Sequence, residues 1–138
     1  MKILFRWGII APGRISGNFA EAVTSRNNAD LVAVYGRNLD KAKTFAKRHH
    51  IDNVYDDIDA FLSNDNIDAV YIATPHPSHK PFALKCLNAR KAVLCEKPMT
   101  INAADTRELV ACAQKNNTFL MEAVWTRFLP TILQVKKW

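Results

Sequence analysis

Short apolar runs alternate with amphipathic segments along the whole chain, and this alternation limits the fold more than any other feature. The runs predict six strands, over residues 3–10, 31–35, 54–55, 69–74, 92–95 and 118–121. The segments between them have apolar residues at helical spacing, and another helix is expected from Pro130. Strands joined through helices need right-handed crossovers, which produce a parallel sheet covered on both faces. The predicted fold class is therefore α/β, a doubly wound parallel sheet of the Rossmann type.

The helical spacing also predicts which side chains face the sheet. The first helix, over residues 14–25, is expected to bury Ile15, Phe19, Ala22 and Val23. Asn38 and Asn102 are expected to cap later helices, because an Asn side chain accepts hydrogen bonds from first-turn amides. The helix after Asn102 is expected to bury Leu109, Val110 and Ala113.

Length and composition narrow the classes of protein. A chain of 138 residues fits one domain with a real core, and it has no apolar run long enough for a membrane span and no signal-peptide pattern. Its three cysteines have no metal-like spacing, which indicates free thiols, a cytoplasmic protein and no bound metal. The net charge of +6 fits solvated helix faces or attraction of an anionic ligand. The positive charges are dispersed and match no nucleic-acid-binding motif.

The turn after the first strand is a candidate phosphate site. A strand, a turn of small residues and a helix start place backbone N–H groups and the helix dipole around one point. A full dinucleotide fingerprint has three glycines, and the positions here are Ala11, Gly13 and Ser16. Pro12 also removes one N–H donor from the loop. The motif alone fits an ordinary connection as well as a nucleotide site.

Arg37 follows the second strand, about 20 residues beyond the turn. NAD-binding domains place an acidic residue there to hold the ribose 2′-hydroxyl, whereas a cation suits the 2′-phosphate of NADP. The sequence at this strand end is Tyr-Gly-Arg-Asn over residues 35–38, without an acid. Arg37 therefore indicates NADP over NAD, unless it is simply a surface side chain in a loop.

Three later strand ends also have residues that could take part in chemistry. Thr74, Pro75 and His79 surround a proline-stiffened loop in which the histidine could equally be structural. Lys97 lies in Glu-Lys-Pro after the fifth strand, where a lysine could exchange a proton with a substrate hydroxyl or be an ordinary loop residue. Pro98 is a candidate for a cis peptide bond, because such bonds occur almost only before proline. Trp125 and Arg127 could bind a substrate ring and a polar group, or could cover a core that continues further.

Four segments together resemble the Gfo/Idh/MocA oxidoreductases. They are Trp-Gly-Ile-Ile-x-x-Gly-Arg-Ile over residues 7–15, Ala-x-Tyr-Gly-Arg over 33–37, Ala-Thr-Pro-x-x-x-His over 73–79 and Cys-Glu-Lys-Pro over 95–98. The segment Phe-Leu-Met-Glu-Ala-Val-Trp-Thr-Arg-Phe over residues 119–128 is most similar to the branch of trans-1,2-dihydrobenzene-1,2-diol dehydrogenases and NADP-dependent xylose dehydrogenases. The resemblance covers essentially the whole chain.

The resemblance implies a cofactor site and roles for its residues. The residues implied are Ile10, Gly13, Arg14 and Ile15 at the pyrophosphate, Arg37 and Asn38 at the 2′-phosphate, Thr74, Pro75 and His79 under the nicotinamide half, Glu96 and Lys97 at the nicotinamide ribose, and Trp125 and Arg127 beside the nicotinamide and substrate. Lys97 would also reach the substrate hydroxyl as the catalytic residue. The cofactor would be NADP, with NAD possible.

The resemblance further implies two domains and a dehydrogenase reaction. Residues 1–122 would form the dinucleotide-binding domain, and residues 123–138 would begin the connection to an α+β substrate and dimerisation domain that this chain lacks. The full-length form would be a dimer that transfers hydride between NADP and a secondary hydroxyl of a cyclic diol or sugar. The chain on its own is expected to be inactive. A non-catalytic NADP-binding sensor is the alternative.

Overall fold

A computed structural model describes residues 4–138, so the predicted start of the first strand at residue 3 lies outside the described residues. The strands are β1 Phe5–Ile10, β2 Ala29–Tyr35, β3 Asn53–Tyr55, β4 Ala69–Ile72, β5 Ala92–Glu96 and β6 Leu120–Ala123. The α-helices are α1 Arg14–Thr24, α2 Leu39–His49, α3 Ile58–Leu62, α4 His79–Asn88, α5 Ala103–Lys115 and α6 Pro130–Val135. Two 3₁₀ turns cover His76–Ser78 and Trp125–Phe128.

The six strands form one parallel sheet in the order β3-β2-β1-β4-β5-β6. This order confirms the predicted doubly wound Rossmann fold. From β1 the chain continues to β2 and β3 on one side of β1, and after β3 it crosses to β4 on the other side. A crevice therefore opens between the carboxyl ends of β1 and β4. Ligands of open α/β sheets bind at this crevice.

Two apolar clusters hold helices against the two faces of the sheet. One packs α3, α4 and α5 on the sheet through residues such as Phe61, Leu87 and Leu109, which have no exposed surface. The other packs α1 and α2 against the opposite face, through residues that include Ala20, Val23 and Ala46. The central strands are buried on both faces, which is why their sequences are continuously apolar.

Side-chain caps fix the starts of three helices. Asn38 accepts a hydrogen bond from the Lys41 amide, and Asn102 accepts one from the Asp105 amide, so both predicted caps are confirmed. Asp57 caps α3 through two amides, and these hydrogen bonds lower the pKa of its carboxyl. Local sequence signals therefore set where these helices begin.

The predicted inward faces of α1 and α5 were partly wrong. Ile15 and Ala22 are exposed, and α1 instead turns Ser16, Ala20 and Val23 inward. These residues follow the i, i+4, i+7 spacing and are small enough at the start of the helix for it to approach the sheet closely. Val110 of α5 is also exposed.

Strand β6 begins two residues later than predicted and ends at Ala123. Its ladder with β5 pairs Val93 with Leu120 and Glu96 with Ala123. Pairing with β5 therefore decides the strand limits, although Glu and Ala have low intrinsic strand preference.

A cavity of about 850 Å³ opens on the α1 side of strands β4, β5 and β6. Tyr71, Leu94 and Met121 form part of its floor, and Trp125 and Phe128 are at its edge. Within residues 4–138, no helix combines the length and apolar character needed to cross a lipid bilayer.

Candidate functional site

The turn between β1 and α1 is built without the usual first and third glycines. Ala11 takes the left-handed conformation, with φ of 74°, at the position where a glycine would usually allow the tight turn. The buried Ser16 hydroxyl donates to the Ala11 carbonyl oxygen at 2.6 Å and so closes the loop on itself. A hydrogen bond from a small side chain thus stabilises the turn.

The N-terminus of α1 presents backbone donors that no side chain caps. Gly13 is the N-cap residue and is exposed, and a Cβ atom at this position would meet no other atom within 4 Å. The first turn of α1 also has no acidic residue. Free amides and the positive end of the helix dipole make this point suitable for a pyrophosphate.

A separate cavity of about 420 Å³ lies over the carboxyl ends of β1, β2 and β4. Arg37 lies on its rim together with Asn38, whose side-chain oxygen is already engaged in capping α2. Lys41, in the first turn of α2, is a second cation on the same lining. The lining residues are Ile10, Ala11, Pro12, Tyr35, Gly36, Arg37, Asn38, Lys41, Thr74, Pro75, Ser78 and Phe82, which include no carboxylate.

Thr74 lines this cavity and has a buried polar atom without a partner among the described residues. Its Oγ1 is buried, and it has no hydrogen-bond partner in the part of the chain that the structure describes. An unpaired buried hydroxyl costs free energy unless a ligand or water pairs with it. Opposite, Gly36 packs so closely on Pro12 that a Cβ at Gly36 would lie 2.9 Å from Pro12 Cδ. These features fit a ligand with hydroxyl and phosphate groups.

The loop that contains Lys97 is held from several sides. Pro98 follows a cis peptide bond, and its carbonyl oxygen lies 2.8 Å from Nδ1 of His79. The Met99 amide donates to Glu122 Oε1 at 2.8 Å, and the Lys97 amide donates to Glu96 Oε2 at 3.1 Å. A loop tied at three successive residues places the base of the exposed Lys97 side chain in a fixed position, as a reacting group requires.

Glu96 and Lys97 line the larger cavity together with Ile15 and Trp125, at the carboxyl ends of the strands, and we call this end its mouth. Glu96 is half-buried, and its Oε1 accepts a hydrogen bond from the Tyr71 hydroxyl at 2.7 Å. Burial and this carboxylate raise the pKa of Tyr71, so the phenol keeps its proton and remains the donor. The mouth therefore combines a carboxylate, an amine and aromatic surface.

Two predicted site residues, His79 and Arg127, line neither of the two cavities. The ring of His79 has no exposed surface, and its nitrogens face the carbonyl oxygens of Thr74 and Pro98, each at 2.8 Å. His79 thus connects the loops after β4 and β5, beneath the surface that a ligand would meet. Arg127 is exposed in the 3₁₀ turn after β6 and lines neither of the two cavities.

The remaining predicted residues fall into neighbouring hollows along one edge of the sheet. Gly13 and Arg14 line a third hollow, between α1 and α2, which also contains Lys41. This third hollow lies between the two cavities, at the N-terminus of α1. Sequence reasoning missed Lys41, Tyr71 and Glu122 as site residues. Lys41 could have been found from the sequence, because it lies one helical turn after Arg37. The places of Tyr71 and Glu122 at the site depend on strand register.

The fold and the edge of the sheet define a dinucleotide-binding Rossmann domain. The model of the Gfo/Idh/MocA family, described as an oxidoreductase family with an NAD-binding Rossmann fold, matches residues 5–124. The chain belongs to this family.

Known relatives of this chain are dehydrogenases. It is 46% identical over 129 residues to trans-1,2-dihydrobenzene-1,2-diol dehydrogenase of Sus scrofa, covering 92% of this chain and 38% of the relative. It is 45% identical over 127 residues to the enzyme of the same name from Homo sapiens, covering 91% of this chain and again 38% of the relative. The chain thus spans less than half the length of these relatives.

Solved structures of the family contain nicotinamide cofactors. A Y186F mutant of KijD10, a 3-ketoreductase from Actinomadura kijaniata in complex with TDP-benzene and NADP, is 30% identical, with a TM-score of 0.91 over 97% of this chain and 41% of that chain. GenD2 from gentamicin A biosynthesis, in complex with NAD, is 25% identical, with a TM-score of 0.91 over 98% of this chain and 38% of that chain.

Proposed function

We propose that this chain supplies the NADP-binding half of an oxidoreductase that acts on a secondary hydroxyl of a cyclic diol or sugar. The observation that carries the NADP preference is the cavity at the end of β2, where Arg37 and Lys41 lie on a lining without a carboxylate. Two cations suit a 2′-phosphate, whereas NAD-specific sites place an acid there. The amides of the α1 N-terminus would hold the pyrophosphate, and Thr74 would pair with a polar group of the cofactor.

The chemistry is assigned to the mouth of the larger cavity. When bound, the nicotinamide ring accepts or returns hydride. Lys97, on its tied loop, would exchange a proton with the substrate hydroxyl, and Glu96 would hold ribose hydroxyls. Trp125 would cover this end, with Arg127 nearby. His79 would act as a positioning residue that holds the loop from below.

The wider organisation is also part of the proposal. Residues 1–122 would form the cofactor domain and residues 123–138 would lead toward a substrate domain, in a dimeric cytoplasmic enzyme. The family match over residues 5–124 supports this division. A non-catalytic NADP sensor is less well supported, because the named relatives are dehydrogenases and the Lys97 loop is rigidly built.

Titration of the 138-residue chain with NADPH and NADH, followed by nicotinamide fluorescence, tests the cofactor assignment. Arg37→Ala should weaken NADPH by about 10- to 100-fold, since hydrogen bonds to charged groups contribute about 1.5–3 kcal/mol. NADH, which lacks the 2′-phosphate, should change by less than about twofold.

Arg107→Ala is the matched control, because Arg107 is exposed on α5 and lines neither cavity. This variant also removes one positive charge, but outside both cavities, so it should leave the affinities for NADPH and NADH unchanged. Equal loss of NADPH and NADH in Arg37→Ala would contradict the 2′-phosphate role. Failure of the folded wild-type chain to bind either cofactor would contradict the proposed cofactor half.

A further inference from the structure

Strand register places Tyr71 and Glu96 on the same face of the sheet. Tyr71 of β4 pairs directly with Leu94 of β5. Side chains alternate between faces along a strand, so Glu96, two residues beyond Leu94, is the diagonal neighbour of Tyr71. A tyrosine is long enough to cover this diagonal, and its hydroxyl lies 2.7 Å from Glu96 Oε1.

The Tyr71 ring has little freedom to move. Only 3% of the residue is exposed, and its ring stacks on Phe19 of α1 with centroids 4.0 Å apart and an angle of 13° between the planes. Phe19 is in turn packed edge-on against Trp7 of β1, at 5.1 Å. A hydroxyl on a ring held in this way defines one point in space for its acceptor.

The Glu96 carboxylate is held at both oxygens. Oε1 accepts from the Tyr71 hydroxyl, and Oε2 accepts from the Lys97 amide at 3.1 Å. A carboxylate offers about four lone-pair positions, so accepting capacity is left over for hydroxyl groups of a ligand in the cavity. Glu96 lines that cavity and is half-buried.

From this geometry we infer that Tyr71 is a positioning residue, which orients the Glu96 carboxylate toward the hydroxyls of the nicotinamide ribose. The inference rests on the proposed function, because it takes the larger cavity as the nicotinamide end of the cofactor site. Arg37 and the phosphate-binding turn line other hollows at the carboxyl edge of the sheet. Loss of the Tyr71 hydroxyl should therefore affect only one half of the cofactor.

The test compares two ligands on the wild-type chain and on Tyr71→Phe, which removes the hydroxyl and keeps the stacked ring. NADPH contains the nicotinamide ribose, whereas adenosine 2′,5′-bisphosphate lacks the nicotinamide half. Tyr71→Phe should weaken NADPH by about 3- to 10-fold, the usual range for one hydrogen bond. The affinity for the bisphosphate, measured by calorimetry, should stay within about twofold. A general structural defect would weaken the binding of both ligands.

Tyr55→Phe is the matched control, because Tyr55 lines neither cavity. It lies on β3, at the other edge of the sheet, and its hydroxyl accepts a hydrogen bond from Asn64. This variant should change neither affinity. The double variant Tyr71→Phe/Glu96→Ala should bind NADPH no more weakly than Glu96→Ala alone, since Tyr71 acts through Glu96 and alanine leaves the Tyr71 hydroxyl without that acceptor. This comparison remains informative if Tyr71→Phe is less stable than the wild type. An effect of Tyr71→Phe that does not act through Glu96 would then add to the loss of NADPH affinity caused by the Glu96 substitution.

The outcomes separate the two proposals. If the wild-type chain binds both ligands but Tyr71→Phe weakens neither, or both equally, the positioning role is overturned and the cofactor assignment stands. If losses in the double variant are additive, the role is likewise overturned. If the folded wild-type chain binds neither ligand, the proposed function fails and the role of Tyr71 fails with it.

Discussion

Gly8, in the middle of β1, should not tolerate even a methyl group. A Cβ at this position would lie 2.6 Å from Phe61 Cζ, 3.1 Å from Phe61 Cε2 and 3.2 Å from Ile67 Cδ1. Phe61 is fully buried and packs against the rings of Tyr35 and Tyr55, so it has little room to withdraw. We therefore expect Gly8→Ala to force a shift in the central strand.

The expected magnitude follows from two opposing effects. Overpacking a buried site costs about 1–3 kcal/mol. Replacing glycine by alanine within a strand returns about 0.5–1 kcal/mol of backbone entropy, so the overlap must exceed this gain. We expect a net loss of about 1–2 kcal/mol in the free energy of unfolding. For a domain of this size, that loss lowers the melting temperature by about 3–8 °C.

Urea unfolding followed by circular dichroism measures this loss, and Gly17→Ala is the matched control. Gly17 lies inside α1, and a Cβ there would come no nearer than 3.8 Å to another atom, so this variant should be as stable as the wild type or more so. In a Phe61→Leu background, which removes the overlapping ring atoms, the cost of Gly8→Ala should fall below about 0.5 kcal/mol. Wild-type stability of Gly8→Ala, or the same cost in both backgrounds, would refute the reasoning.

Two further predictions concern the Lys97 loop and acid stability. In a full-length dehydrogenase that contains this domain, Lys97→Met should lower kcat at least ~100-fold, the usual scale for proton transfer, while NADPH affinity stays within about threefold; unchanged turnover would contradict the role. Asp68 accepts from Arg6 Nη2 at 2.7 Å and Nε at 3.0 Å, which lowers the pKa of its carboxyl below the ordinary 3.8. A lowered folded-state pKa contributes stability that is present above pH 3.8 and is lost as the pH falls through the folded-state pKa. Asp68→Asn should therefore be less stable at neutral pH and should lose less stability between pH 5 and about 2 in urea titrations; an acid dependence equal to that of the wild type would argue against this pair.

The three cysteines illustrate how composition and structure contribute to one conclusion. The absence of metal-like spacing predicted free thiols, and the structure has all three unpaired. Burial raises the pKa of Cys86 and of Cys95 to about 12, so these thiols stay protonated and inert. Cys112 is only half-buried. The sequence could not show how far α5 turns this residue from the core.

The sequence by itself determined the fold class and the order of the strands and helices. Hydrophobic periodicity is a local property, and the right-handed crossover rule converts alternating strands and helices into one parallel sheet. Caps such as Asn38 and Asn102 are equally local, since the side chain binds amides within its own first turn. Arg37 could be placed at the crevice for the same reason, because the carboxyl ends of all parallel strands lie on one edge.

Only the tertiary structure decided which side chains meet across that edge. Tyr71 reaches Glu96 because β4 and β5 pair in one particular register, and a shift by one residue would turn them to opposite faces. His79 lies beneath the loops rather than at the ligand surface, because α4 begins with its side chain already inside the core. Periodicity gives the face of a single element, whereas register and packing angles depend on all the elements that contact it, and no local pattern in the chain records them.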